Sequence, residues 1–136
     1  MKKSSLFDDL HRYLADLDEM LPEEDEFLAS KMNQYSVSMV MMNIINTCID
    51  IAHEIIARKK LGYPGTYREA FTLLAKNKII SVPLSKKMMA LVGLRNILAH
   101  EYGEVNLELL YEQASDLLFI NDYIKSAAAL SQKVFS

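Results

Sequence analysis

The chain has 136 residues, 51% of them hydrophobic, with one cysteine and a formal net charge of −3. That is about one domain, residues 1–136, with enough apolar side chains for a core of its own, and the lone Cys48 excludes an intrachain disulfide framework and points to a reducing, cytoplasmic setting. The negative balance excludes a broad electrostatic grip on a nucleic-acid backbone, which needs many Lys and Arg on phosphates, so any nucleic-acid site has to be local.

Met1-Lys2-Lys3 has the basic start of an export signal, but Asp8, Asp9, His11 and Arg12 break the apolar stretch that must follow one. Leu6, Leu10, Tyr13, Leu14, Leu17 and Met20 recur three and four apart, which predicts a one-faced helix over residues 5–20. Pro22 and the acids Glu23, Glu24 and Asp25 then open a second helix, with proline tolerated at the first position and carboxylates suited to the positive dipole end. Its pattern runs on to Lys60. The apolar run Val37–Ile51 inside it is interrupted by Ser38, Asn43, Asn46, Thr47 and Asp50, short of the roughly 20 apolar residues of a membrane span, so the expectation is a soluble protein without a membrane partner.

This long helix carries two apolar stripes: Leu28, Met32, Tyr35, Met39, Met42, Ile49 and Ile56, and then Val37, Met41, Ile44, Cys48, Ile51 and Ile55. A small domain has little room to encircle one helix, so the second stripe predicts a homodimer, against a broad core face in a monomer. Leu61-Gly62-Tyr63-Pro64-Gly65 is a dense stop, with Gly62 suited to a left-handed cap. Thr66-Tyr67-Arg68-Glu69 has the form of a capping box and opens a short third helix with Ala70, Phe71, Leu73 and Leu74 inward. Residues 79–82 connect to a fourth helix that begins near Pro83, turns Leu84, Met88, Leu91, Leu94 and Leu98 inward, and ends around Tyr102-Gly103. Asn106 caps a fifth helix, residues 107–129, with Leu110, Ala114, Leu117, Leu118 and Ile124 inward. The fold class expected is an all-α antiparallel bundle of about five helices.

Chemistry concentrates in Arg95-Asn96-Ile97-Leu98-Ala99-His100-Glu101-Tyr102. Histidine exchanges a proton near neutral pH, and arginine offers a fixed cationic fork for phosphate oxygens. In RNA cleavage by the ribose 2′-hydroxyl, a protein has to supply a proton acceptor or donor and a cation for the developing charge, roles that fit His100 and Arg95. Tyr102 adds a hydroxyl donor or a stacking ring. At 3.6 residues per turn, however, Arg95 and His100 lie about 140° apart around a helix, while Arg95 and Tyr102 lie nearly in line. A long arginine, an early helix end, or a second copy across a dimer axis would each bring the pair together. On spacing alone, an arginine capping a neighbouring helix and a histidine on the last turn's dipole are the commoner roles.

The octet closely resembles the Arg-x4-His-x-Tyr motif of the HEPN superfamily, specifically of HepT-like toxins. Asp50-Ile51-Ala52-His53, Tyr67-Arg68-Glu69-Ala70-Phe71-x-Leu73-Leu74, Val92-Gly93-Leu94 and Asn106-x-x-x-Leu110-Tyr111 extend the likeness in the same order. It covers most of the chain, from the second helix to the fifth. The resemblance implies a dimeric HEPN-like bundle that cleaves RNA without metal or cofactor and is paired with a minimal nucleotidyltransferase (MNT) antitoxin. Arg95 and His100 then match the catalytic pair, Asn96 the polar position after the arginine, and Tyr102 the tyrosine whose hydroxyl the partner modifies with AMP. Such a group would set a bulky anion beside a cationic cleft and compete with substrate phosphate. Ala99 is small where a larger apolar residue is expected.

Elsewhere, Asp50 and His53 are neighbours on one helix face, too few for a metal site, and Asp50 is a candidate to orient Arg95. His11 reads as surface, the methionines as adaptable packing in core and dimer interface, and Arg58-Lys59-Lys60 as a cationic helix end. Besides the ribonuclease toxin, two readings remain open. One is a noncatalytic, nucleotide-binding partner of a nucleotidyltransferase that uses the same Arg and Tyr. The other is a plain scaffold bundle.

Overall fold

The computed structural model describes the backbone of residues 3–135 and the side-chain surroundings of residues 6–130; the basic Met1-Lys2 start lies outside the described residues. These residues form seven α-helices: α1 (Lys3–Met20), α2 (Glu24–Ala29), α3 (Lys31–Lys59), α4 (Tyr67–Lys76), α5 (Val82–His100), α6 (Leu107–Ala114) and α7 (Phe119–Phe135), with a 3-10 turn at Tyr102–Glu104 after α5. The all-α expectation holds, and two of the five expected helices are each divided.

The second expected helix breaks at Ser30. Its backbone is extended, with φ −127° and ψ 113°, and its hydroxyl accepts from the Asn33 N–H, so it caps α3 rather than continuing α2. Gln34 completes the corner by donating through Nε2 to the Phe27 and Leu28 carbonyls at 3.1 Å each, which satisfies orphan acceptors at the end of α2. The fifth expected helix breaks between Ala114 and Phe119. There the Ser115 hydroxyl bonds the Tyr111 carbonyl at 2.7 Å and a new turn starts through Ile120 N–H to Leu117 O. Leu118, expected inward, is 79% exposed as a consequence.

Other boundaries follow their chemistry. Thr66 accepts from Glu69 N–H, and the Glu69 carboxylate reaches back one residue further than expected, to Gly65 N–H at 2.7 Å. Lys60, at φ 56°, takes the left-handed cap of α3, and Gly62 follows with φ 124°. Helix α5 begins at Val82, next to Pro83 as expected, and is capped by Ser81, whose hydroxyl accepts from Leu84 N–H.

Helix α3 is the axis of the bundle and packs against all six other helices. Its stripe Val37, Met41, Ile44, Cys48, Ile51 and Ile55 is wholly buried. The other stripe is shared: Ile49 and Ile56 are buried, whereas Met32, Tyr35 and Met39 are 78%, 60% and 63% exposed. By length and composition α3 could cross a membrane, yet more than half of its most apolar window is buried inside the bundle. Apolar side chains from Leu10 to Ala127 make one continuous core around it. Two tyrosine hydroxyls are paired there, the buried Tyr123 donating to the Cys48 carbonyl at 2.7 Å and the part-buried Tyr111 to the Pro22 carbonyl at 2.6 Å.

Candidate functional site

Helix α5 buries Leu84, Met88, Leu91, Leu94 and Leu98. Its remaining surface presents Arg95 half-buried, and Asn96 and His100 exposed. Ala99 is exposed too, so the small residue there leaves no gap in the core.

Arg95 is held from three sides. Its Nε donates to Asn46 Oδ1 on α3 at 3.0 Å, an Nη donates to Asn96 Oδ1 at 3.2 Å, and its guanidinium carbon lies 5.1 Å from the centroid of the Tyr67 ring at the start of α4. Charge-assisted hydrogen bonds of this kind are worth about 1.5–3 kcal/mol when shielded, less at a half-exposed site. Their larger effect is to fix where the cation points. On the same helix the end of the Arg68 side chain lies over Gly93, where a Cβ would come within 2.6 Å of its Nη2 and make that side chain shift.

The group bonded to Arg95 is therefore Asn46, not the expected Asp50. Asp50 sits one turn further along α3, exposed, with its carboxyl pushed above the usual range by partial desolvation and drawn down by His53. The reason is axial: sequence pattern sets which face of α3 meets α5, while the level at which Arg95 crosses it depends on packing. A signal for Asn46 was present, because Asn46, Asp50 and His53 recur four and three apart and so fall on one face of the helix.

His100 is the last residue of α5, and the helix does not end before it. Arg95 and His100 thus keep the roughly 140° separation of an ideal helix. Tyr102 follows in the 3-10 turn, half-buried, its ring stacked on Tyr35 of α3 with centroids 5.2 Å apart and planes 20° apart, and its hydroxyl 3.3 Å from Ser38 Oγ. Neither Tyr35 nor Ser38 was marked by the sequence as a partner of Tyr102. Tyr102 therefore closes onto the exposed Met32-Tyr35-Met39 stripe.

The result is a fixed cation at the level of Asn46 on α3, an exposed imidazole at the end of α5 and a phenol set against Tyr35 and Ser38. Among the described residues no three His, Cys, Asp or Glu side chains converge to hold a metal ion. A cation in a bonded frame and an exposed imidazole on one helix suit chemistry on a phosphodiester, where charge builds on oxygen while a proton moves.

Comparison with known proteins places this arrangement. The Ribonuclease HepT-like family model matches residues 10–127. The chain belongs to the HepT-like family. Within it, the mRNA nuclease HepT of Shewanella oneidensis is 44% identical over 77 residues, 57% of this chain and 58% of that protein. The tRNA nuclease HepT of Aphanizomenon flos-aquae is 34% identical over 82 residues, 60% of this chain and 56% of that protein. The matched stretches thus span just over half the length of these two relatives. A solved structure covers more: a tri-AMPylated Shewanella oneidensis HEPN toxin in complex with an MNT antitoxin superposes with a TM-score of 0.88 at 30% identity, over 95% of this chain and 99% of that one. The HEPN-like bundle implied by the resemblance is the observed fold.

Proposed function

We propose that this HepT-like chain is a cytoplasmic, metal-independent endoribonuclease toxin, working as a homodimer and neutralised by an MNT-type nucleotidyltransferase antitoxin that transfers AMP to the Tyr102 hydroxyl. The observation that carries the reading is the bonded, cationic frame of Arg95 on the same helix as an exposed His100, in the order of the family motif.

In the proposed reaction the 2′-oxygen attacks the adjacent phosphorus, its proton passes to an imidazole, the bond from phosphorus to the 5′-oxygen breaks, and that oxygen takes up a proton. The products are a 2′,3′-cyclic phosphate and a 5′-hydroxyl. Arg95 stabilises the negative charge gathered on the phosphoryl oxygens, a contribution of about 10²–10³ in rate for one such donor. Because one helix separates Arg95 from His100, the productive pair combines Arg95 of one copy with His100 of the other. The exposed Met32-Tyr35-Met39 stripe, continuous with Tyr102, is the surface on which the copies meet. Such a dimer sets two imidazoles in one cleft, one to accept a proton and one to return it.

Modification fits the same geometry. The Tyr102 oxygen attacks the α-phosphorus of a nucleoside triphosphate, pyrophosphate leaves, and the phenolic proton is released. The AMP then places an anion where substrate phosphate would approach Arg95. The test is cleavage of single-stranded RNA by the unmodified full-length protein in excess chelator. Product ends with 2′,3′-cyclic phosphate are expected, and cleavage no faster than that of the Arg95→Ala and His100→Ala variants would overturn the reading.

A further inference from the structure

On the far side of Arg95 from Tyr102 lies a trough that the proposed chemistry does not use. Two open cavities of about 280 Å³ and 270 Å³ share His53 and Pro64 as common lining; Tyr67 completes the first and Tyr63 the second. Tyr67 bridges the trough to the site. One contact of its ring is the Arg95 guanidinium at 5.1 Å, another the His53 ring at 5.8 Å and 49°, and it remains 40% exposed. Tyr63 is wholly exposed.

We infer that this trough of His53, Pro64 and Tyr67 is a subsite for a nucleobase of single-stranded RNA, flanking the phosphate held at Arg95. Three observations carry it, and it rests in part on the ribonuclease reading. First, the surfaces are flat rings that stay accessible after their contacts with Arg95 and with each other, Tyr67 being 40% and Tyr63 wholly exposed, and every base has a π-face to stack on them. Second, the local charge selects a base over a phosphate: the exposed Asp50 stands on α3 between Asn46 and His53 and would repel a second anion. Third, the distance suits a neighbouring nucleotide. Asn46 and His53 are seven residues apart on α3, about 10 Å along the helix axis, which a nucleotide reaching from a phosphate at Arg95 to its flanking base can span. The backbone of the loop is fixed for this purpose by Thr66, Gly65 and Glu69, whose mutual hydrogen bonds seat Tyr67 at the first turn of α4.

The experiment measures binding of a fluorescent 2′-O-methyl oligonucleotide, which has no nucleophile and is not cleaved, and of the same backbone carrying abasic residues. Wild-type protein is expected to prefer the base-bearing strand. Tyr67→Ala and His53→Ala should weaken its binding roughly tenfold while leaving the abasic strand unaffected, and Tyr67→Phe should keep the preference. Equal losses on both strands would make Tyr67 a mere prop for Arg95, and no loss, or no wild-type preference, would equally overturn the subsite. Loss of antitoxin binding with unchanged oligonucleotide binding would make the trough a protein contact and overturn it too. Base-dependent binding by a protein that fails to cleave RNA would remove the ribonuclease reading and leave the subsite standing; cleavage without base dependence would do the reverse.

Discussion

Arg95 and His100 lie five residues apart on one helix, yet the fold treats them differently. Arg95 is bonded by Asn46 and Asn96 and covered by Tyr67, groups drawn from α3, α4 and α5, whereas His100 stands exposed at the final residue of α5. The bundle therefore fixes the cation and leaves the imidazole exposed to solvent. The same contrast divides α3: its middle and C-terminal stretch is consumed by the core, while Met32, Tyr35 and Met39 near its start remain uncovered beside Tyr102. A fixed half and an unfinished half meet at the motif.

The sharpest way to probe this contrast is to remove each member in turn. His100→Ala is expected to lower RNA cleavage by about 10²–10⁴ without changing thermal stability, since the side chain is solvated and its proposed role is proton transfer. Arg95→Ala should cost a similar amount in rate and also some stability, because it strands Asn46 Oδ1. Equal melting temperatures for both variants in differential scanning calorimetry would break the distinction between a built-in cation and a free imidazole.

Core and uncovered stripe of α3 should part in the same way. Ile44→Ala is expected to destabilise the chain by about 2–5 kcal/mol in chemical denaturation, the range for emptying a close-packed site. Met39→Asp should leave the folded monomer intact and lower the mass measured by light scattering to that of one chain. A variant that unfolds instead would place Met39 in the core, contrary to its exposure.

Smaller effects test the frame. Asn46→Ala should lower cleavage about tenfold, through lost orientation of Arg95, with a stability change near 1 kcal/mol, whereas Asp50→Ala should do less to the rate; the reverse order in steady-state kinetics would restore Asp50 as the orienting group. The smallest concerns pH. Burial raises the Tyr123 phenol well above its ordinary value of 10.0. Below pH 10 both folded and unfolded chains keep that proton; above it the unfolded chain releases it first, so folding stability falls as pH rises. Tyr123→Phe should be less stable at neutral pH, where the Cys48 carbonyl loses its donor, and should show a shallower decline in denaturant midpoint above pH 10.

Much of the architecture was legible because it is local. The stop at residues 61–65, the caps at Thr66 and Asn106, and the inward faces of α1 and α5 follow from turn chemistry and 3.6-residue periodicity. The breaks at Ser30 and after Ala114 were not legible. Neither has glycine or proline; the first depends on Gln34 reaching back over the corner, the second on how α6 and α7 settle on the core. The motif was visible as a string, and the family likeness suggested the role proposed for Tyr102. What the string could not hold was its surroundings: Asn46, Tyr35, Ser38 and the stacking role of Tyr67 come from other helices, at levels along α3 that only packing sets. Asp50 was the near miss, right in face and wrong by one turn.

The central claim is that the productive pair joins Arg95 of one copy to His100 of another. Its most direct test is to coexpress the Arg95→Ala and His100→Ala chains and purify the mixed dimer, each chain inactive with its own kind. The account predicts that the mixed dimer regains a substantial share of wild-type RNA cleavage, because one intact pair re-forms across the interface. A mixed dimer as inactive as either parent would contradict it and return both groups to a single chain.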